Sequence, residues 1–334
     1  MSVAVARAAG TPRRMGRAQG EAMAEGIGAA LRFYARLAKG GEGAMAAASV
    51  PFIDTARSSV PHLVEEMAGL AEGAGIAFEE AAILNCMEEV WTFETCTSMS
   101  HGPFLLHAEQ WYAGHDSVGV VIAEPDGGPA FVSPTCAGFL PAVGMNASGF
   151  AQGIDSLTAS DDRIGAPRVA ISRLALGAAD LAGAIAAATL PGRAGGYAHF
   201  LMSGECSVVV ETTATTHNTI EGADAHTNHY LADPAVPVGP ASRGSKARLE
   251  RARNLLENEP PSSLEDCARL LGDHDARPES ICVHEDGLEG SATVFAMACD
   301  VTTGRMLVSD GSPCLARWNE FEVPGFVARN ARVG

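Results

Sequence analysis

No apolar run in this 334-residue chain approaches the roughly 20 residues a membrane span requires, so no membrane partner is expected. Basic residues are scarce. There are 23 Lys and Arg against 40 Asp and Glu, a formal net charge of −17. The few cations are scattered, which excludes a phosphate-binding stripe and, with it, nucleic acid as a partner. The acidity reads as solubility. Eight cysteines stand at 86, 96, 136, 206, 267, 282, 299 and 314, and no pair has CxxC spacing. Neither a zinc ribbon nor a disulfide framework is indicated, and no metal is expected. Small buried hydrophobes in a reducing compartment account for most of these thiols. The opening stretch MSVAVARAAGTPRRMG does not read as a signal peptide, because its apolar segment is broken by Arg7 and its other basic residues follow it. The cytoplasm is the expected compartment. Repeats, low-complexity tracts and obvious linkers are also lacking.

What is present is enough apolar material, 47% of residues, to bury a sizeable core. Residues 15–92 read as helical. Met15 to Lys39 is dominated by Ala, Leu, Met and Glu. A second helix begins near Pro61, with Leu63, Met67 and Leu70 on one face and Gly73 and Gly75 at its end. FEEAAILNCMEEVW reads as a third. The character changes near residue 93: SVGVVIAE and PAFVSP flank DGG, a hairpin signal, and GFAQGIDSL continues the strands. Residues 166–190 read as one Ala- and Leu-rich helix. HFLMSG and SVVVET form a hairpin, and HTNHYL is a short strand or strand end. KARLERARNLLEN and SLEDCARLLGD are amphipathic helices. SATVFAMACDV and GRMLVSDG close the series as a hairpin through TTG. Hairpins alternating with helix pairs predict an α+β fold, two packed sheets with helices outside.

Several segments, in order, resemble the acyl-coenzyme A:6-aminopenicillanic acid acyltransferase family, self-processing cysteine enzymes of the N-terminal-nucleophile class. They are EEMAGLAEGAGIAFEEAAILNCMEEV, TCTSMS, FLLHAEQWY, VGMNASGFAQGIDSLTA, HTNHYL and SKARLERARNLL, with the C-terminal hairpin. HTNHYL and the Cys-Thr-Ser triplet in register with the rest are the most specific. The resemblance implies a four-layer αββα sandwich with a helical N-terminal leader. It also implies a precursor cut at Thr95–Cys96, giving fragments 1–95 and 96–334 that stay together as one compact unit.

A thiol attacks carbonyls as thiolate, and its ordinary pKa leaves little thiolate at neutral pH. An N-terminal Cys96 would carry its own base, an α-amino group with pKa near 8. Before the cut that nitrogen is an amide and cannot serve. By resemblance, Asn228 supplies an oxyanion donor. The family's Asp that orients the freed amine is replaced, depending on alignment, by Gln110 or Tyr112. Asp116 would substitute if its loop folds back. Asp155 stands where relatives have Asn; it could orient the amine or bind a cationic group. Trp111 reads as a core residue or a pocket wall that lines the substrate, not as a catalyst. His226 and His229 read as substrate-lining groups rather than metal ligands, since a spacing of three on a strand puts them on opposite faces. Arg168 and Arg173 read as exposed helix residues, and GDHDARPES as a solvated loop.

The leading expectation is an amidase or acyltransferase working through an acyl-thioester on Cys96. It needs no cofactor. Its substrate is a small acylated amine, peptide or thioester, and a specialised-metabolite pathway is a plausible home. The alternative is an uncleaved, catalytically altered relative acting as a binding or accessory protein. A third option is an unprocessed Cys–His enzyme with His107 or His226 as base.

Overall fold

Two helices of the N-terminal segment touch backbone to backbone. A Cβ on Gly16 would fall 1.9 Å from Glu66 O, and one on Gly69 would fall 2.0 Å from Arg13 O. Small residues one turn apart on both helices therefore set this crossing, with apolar side chains beside it. The computed structural model describes residues 3–37, 41–90, 96–115, 117–284 and 290–327.

In chain order the first elements are β1 (Ala4–Gly10), α1 (Pro12–Leu37), α2 (Gly41–Ser59), α3 (Pro61–Ala74), α4 (Phe78–Leu84) and α5 (Met87–Val90). Then come β2 (Thr97–His101), β3 (Phe104–Tyr112), β4 (Val118–Pro125), β5 (Phe131–Cys136), β6 (Gly144–Asn146) and β7 (Phe150–Leu157). Next are α6 (Arg168–Leu176), α7 (Leu181–Ala188), β8 (Gly196–Ser203), β9 (Cys206–Thr212), β10 (His217–Glu221) and β11 (Ala225–His226). The chain closes with α8 (Arg243–Asn258), α9 (Leu264–Leu271), β12 (Ser291–Asp300), β13 (Arg305–Ser309) and β14 (Trp318–Glu322).

One sheet runs β1-β4-β5-β6-β7-β8-β9-β10 and the other β11-β2-β3-β12-β13-β14. Among the described strand pairs only β1–β4 is parallel. The sheets face each other where β2 and β3 pack on β7. Helices α6 and α7 cover the larger sheet around β6–β9, and α1 lies along β1 and β4. Helices α8 and α9 cover the smaller sheet; their Leu249, Leu255 and Leu270 join Leu106 and Ala108 in one apolar cluster. These are the two packed sheets with helices outside expected from the hairpin and helix order, and the αββα arrangement that the resemblance implies.

Gly75, in the left-handed conformation at φ 69°, ends α3 as read from the sequence. The third helix is instead two, broken at Asn85, whose amide donates to Ala81 O and Gly138 O while its carbonyl accepts from Leu140 N. Residues 166–190 likewise divide, with Asp180 capping the second helix through Gly183 N. β1, β10 and β14 were not anticipated; each is an edge strand with a weak apolar pattern. Among the described residues no helix is long and apolar enough to cross a membrane.

Candidate active site

Cys96 immediately precedes β2, the strand between β11 and β3 in the smaller sheet, and is buried. Its Sγ donates to Glu109 Oε1 at 3.7 Å and lies 4.0 Å from Gln110 O. Burial pushes the thiol well above its ordinary range, and the charges of Glu109, Asp155 and Glu88 push the same way.

Glu109 owes its position to strand parity. On β3, side chains alternate between faces. His107, Glu109 and Trp111 face the larger sheet, whereas Leu106 and Ala108 face the α8–α9 layer. Gln110 shares that second parity: its Nε2 donates to Ile281 O at 2.7 Å. Neither it nor Tyr112, which packs against Phe33 and Tyr34, occupies the place expected of the missing Asp. The reason is the alternation itself, which turns Glu109 toward the thiol and its neighbours away. Sequence reading passed over Glu109. Its position two residues from His107, on the same face, was the available signal.

From Glu109 a polar chain continues. Its Oε2 pairs with His107 Nε2 at 2.9 Å, and His107 Nδ1 pairs with Ser98 Oγ at 3.0 Å. Gly153 on β7 makes room for this chain, since a Cβ there would stand 2.7 Å from Ser98 Oγ and 3.1 Å from His107 Nδ1.

Asn228 follows β11, the strand beside β2. Its Nδ2 donates to Ser156 O at 3.2 Å, and its Oδ1 accepts from Arg248 Nη2 at 2.7 Å. Arg248 Nε also reaches Thr97 Oγ1 at 3.2 Å. Arg248, within SKARLERARNLL, thus ties Asn228 to the residue next to Cys96. Its helix is amphipathic, and nothing in that pattern distinguishes this arginine from its neighbours.

Asp155 and His226 are wholly buried. His226 Nδ1 stands 3.3 Å from Asp155 Oδ2, and its Nε2 stands 2.9 Å from Glu211 Oε1. Burial alone would lower the imidazole, but the two carboxylates hold it up at about 9. Burial raises Asp155, while His226 opposes. His226 is therefore enclosed between carboxylates instead of lining a pocket. His229 is half-buried and pairs with Ser245 Oγ at 2.7 Å.

A cavity of about 30 Å³ adjoins the site, lined by Glu88, Glu109, Trp111, Phe139, Ile154 and Tyr197 among others. Trp111 is among its lining residues. The Glu88 carboxylate accepts from Ser156 Oγ at 2.5 Å and from the Tyr197 hydroxyl, and desolvation raises it to about 7. A larger cleft of about 280 Å³ lies elsewhere, around Glu66 and Arg173, and shares no lining residue with the first.

The two arginines read as exposed are buried. Arg173 pairs with Glu66 at 3.0 Å, and Arg168 bonds Asp162 at 2.7 Å. Arg168 also lies 3.6 Å from the buried Glu89 carboxylate, so each arginine covers a buried carboxylate, which a helical pattern alone does not reveal. Thr95 and Asp116 lie outside the described residues. Among the described residues, two groups of donors could hold a metal ion: Cys96, His107 and Glu109, and separately His274, Cys282, His284 and Cys314. In the first, His107 and Glu109 are already paired with each other.

Compared with known proteins, the chain matches the family model described as acyl-coenzyme A:6-aminopenicillanic acid acyl-transferase over residues 100–313. A search of curated protein sequences found no match. Among solved structures, the chain is similar to a mutant of conjugated bile acid hydrolase from Clostridium perfringens, with a TM-score of 0.44 and 10% identity, covering 71% of this chain and 100% of that one. It is also similar to penicillin V acylase from Agrobacterium tumefaciens, with a TM-score of 0.43 and 13% identity, covering 68% of this chain and 86% of that one.

Proposed function

Since the chain belongs to the acyl-coenzyme A:6-aminopenicillanic acid acyl-transferase family, we propose that Cys96 is the nucleophile of an amidase or acyltransferase activated by cleavage of the Thr95–Cys96 bond. The observation that carries this reading is the Cys96 thiol pointing at Glu109, beside the Asn228–Arg248 pair.

In the uncut chain the thiol is neutral and Glu109 is its nearest carboxylate. Glu109 takes the thiol proton as sulfur attacks the Thr95 carbonyl. The C–N bond breaks, the proton passes to the Cys96 nitrogen, and a thioester joins Thr95 to Cys96. Water then attacks the thioester, releasing the Thr95 carboxylate and restoring the thiol. The freed α-amine takes over as base, being closer in pKa to the working pH than a buried amide.

With substrate, the thiolate attacks an amide carbonyl to give an acyl-thioester and a leaving amine, which collects its proton from the α-ammonium. Water as second acceptor gives hydrolysis, and another amine gives transfer. Asn228 Nδ2 exchanges Ser156 O for the developing oxyanion. The acyl group sits against Trp111, Phe139 and Ile154, which favours an apolar one. The cavity is far below the several hundred Å³ of an ordinary ligand site, so it must widen.

A second reading, an uncleaved binding or accessory protein, draws on the burial of the thiol and on the same carboxylates, which together keep it protonated. Intact-protein mass spectrometry separates the two. Fragments of 95 and 239 residues, absent in Cys96→Ala, support the first. A single uncut chain that ignores thiol-directed acyl probes overturns it.

A further inference from the structure

Away from Cys96, two loops of the smaller sheet bring four soft donors to one point. His274, Cys282 and His284 lie between α9 and β12, and Cys314 lies between β13 and β14. The two imidazole Nε2 atoms are 2.9 Å apart, and the two sulfurs are 3.6 Å apart. His284 Nε2 is 3.9 Å from Cys282 Sγ and 3.4 Å from Cys314 Sγ. All four donor atoms fall within 4.8 Å of one another.

From these distances we infer that His274, Cys282, His284 and Cys314 form a structural zinc site. A tetrahedral zinc with bonds of about 2.3 Å to sulfur and 2.05 Å to nitrogen requires edges of about 3.8 Å (S–S), 3.6 Å (S–N) and 3.3 Å (N–N). The N–N edge, the S–S edge and the two edges from His284 to the sulfurs depart from these by about 0.4 Å or less, and the two edges from His274 to the sulfurs lie within 4.8 Å. A disulfide would need the sulfurs near 2.05 Å, and at 3.6 Å they are unbonded. With four protein donors, no position is left for water or substrate, so the ion holds structure and does no chemistry.

The loops are built to carry it. Asp273 accepts from Arg251 at 2.6 Å and, through its carbonyl, from Cys282 N at 2.9 Å. Ser280 Oγ donates to Cys282 O at 2.6 Å, and Val283 N donates to Thr293 Oγ1 at 2.9 Å. Ile281, one residue before the first cysteine, accepts from Gln110 on β3. An ion here therefore fixes the loop that supports the residue next to Glu109. The spacing, H-x7-C-x-H followed 30 residues later by Cys314, matches no zinc-ribbon pattern, so the donors meet only through the fold.

The test uses the full chain purified under reductant without chelator. Elemental analysis should find about one zinc per chain. The Co(II)-substituted protein should show the strong visible bands of a tetrahedral ion and thiolate-to-cobalt charge transfer. The Cys282→Ser/Cys314→Ser double variant should lose both, while Cys96→Ala should keep both. If the double variant does not fold, the wild-type cobalt spectrum alone decides. Reduced wild type that takes up neither zinc nor cobalt overturns the inference. So does a thiolate–cobalt band that survives the double variant or disappears in Cys96→Ala.

Discussion

One oxygen of Glu109 lies 3.7 Å from the Cys96 sulfur while the other pairs with His107 at 2.9 Å. The carboxylate is thus held from behind by a buried imidazole that Ser98 also steadies. A single side chain faces the thiol from the strand next to β2, and it is neither of the two that a linear alignment with the family's Asp would choose.

Replacing Glu109 should affect two observables in opposite directions. Glu109→Gln removes a negative charge that raises the Cys96 thiol, so alkylation of Cys96 in an uncut chain should begin at lower pH. The same change removes the proposed base, so cleavage before Cys96 should slow by about 10²-fold or more. Iodoacetamide labelling against pH and a time course of fragment appearance measure the pair. An unchanged cleavage rate would remove Glu109 from the mechanism.

Asn228→Ala should leave the chain folded, since only Ser156 O and Arg248 lose a partner. Turnover of an acyl substrate should drop about 10²–10³-fold with little change in KM, the signature of a donor used in the transition state. Steady-state kinetics on cleaved protein would show this. A pure KM effect would argue for substrate contact instead.

The buried His226 makes stability depend on pH. Its folded pKa of about 9 lies above the ordinary 6.5, so its contribution is full below about pH 6.5 and is lost as pH rises through 9. Urea unfolding from pH 6 to 10 should show this decline. His226→Gln should flatten it and cost about 3–5 kcal/mol by leaving Asp155 and Glu211 buried without a counter-charge. A variant with the wild-type slope would place the pH dependence elsewhere.

Gly153→Ala should destabilise the fold by about 1–3 kcal/mol, because the new methyl meets Ser98 Oγ and His107 Nδ1 where the two sheets touch. His107 would be pushed from Glu109, so cleavage should slow as well. Chemical denaturation together with the fragment assay tests both. A neutral substitution would mean the sheets separate easily at this point.

Much could be read without coordinates. Gly75 marked the end of α3, the DGG and TTG turns marked hairpins, and the order of strands and helices implied the layered sandwich. Cys96, Asn228 and Trp111 were singled out because motif residues carry their identity in local order. These features rest on periodicity and turn chemistry, which act over a few residues. The tertiary structure decided the rest. Strand parity put Glu109 and not Gln110 against the thiol. The helix α8 packing brought Arg248 to Asn228, and two distant loops gathered His274, Cys282, His284 and Cys314. Charge pairing and metal ligation depend on distances between side chains far apart in the chain. The linear order does not hold those distances until the sheets close on one another.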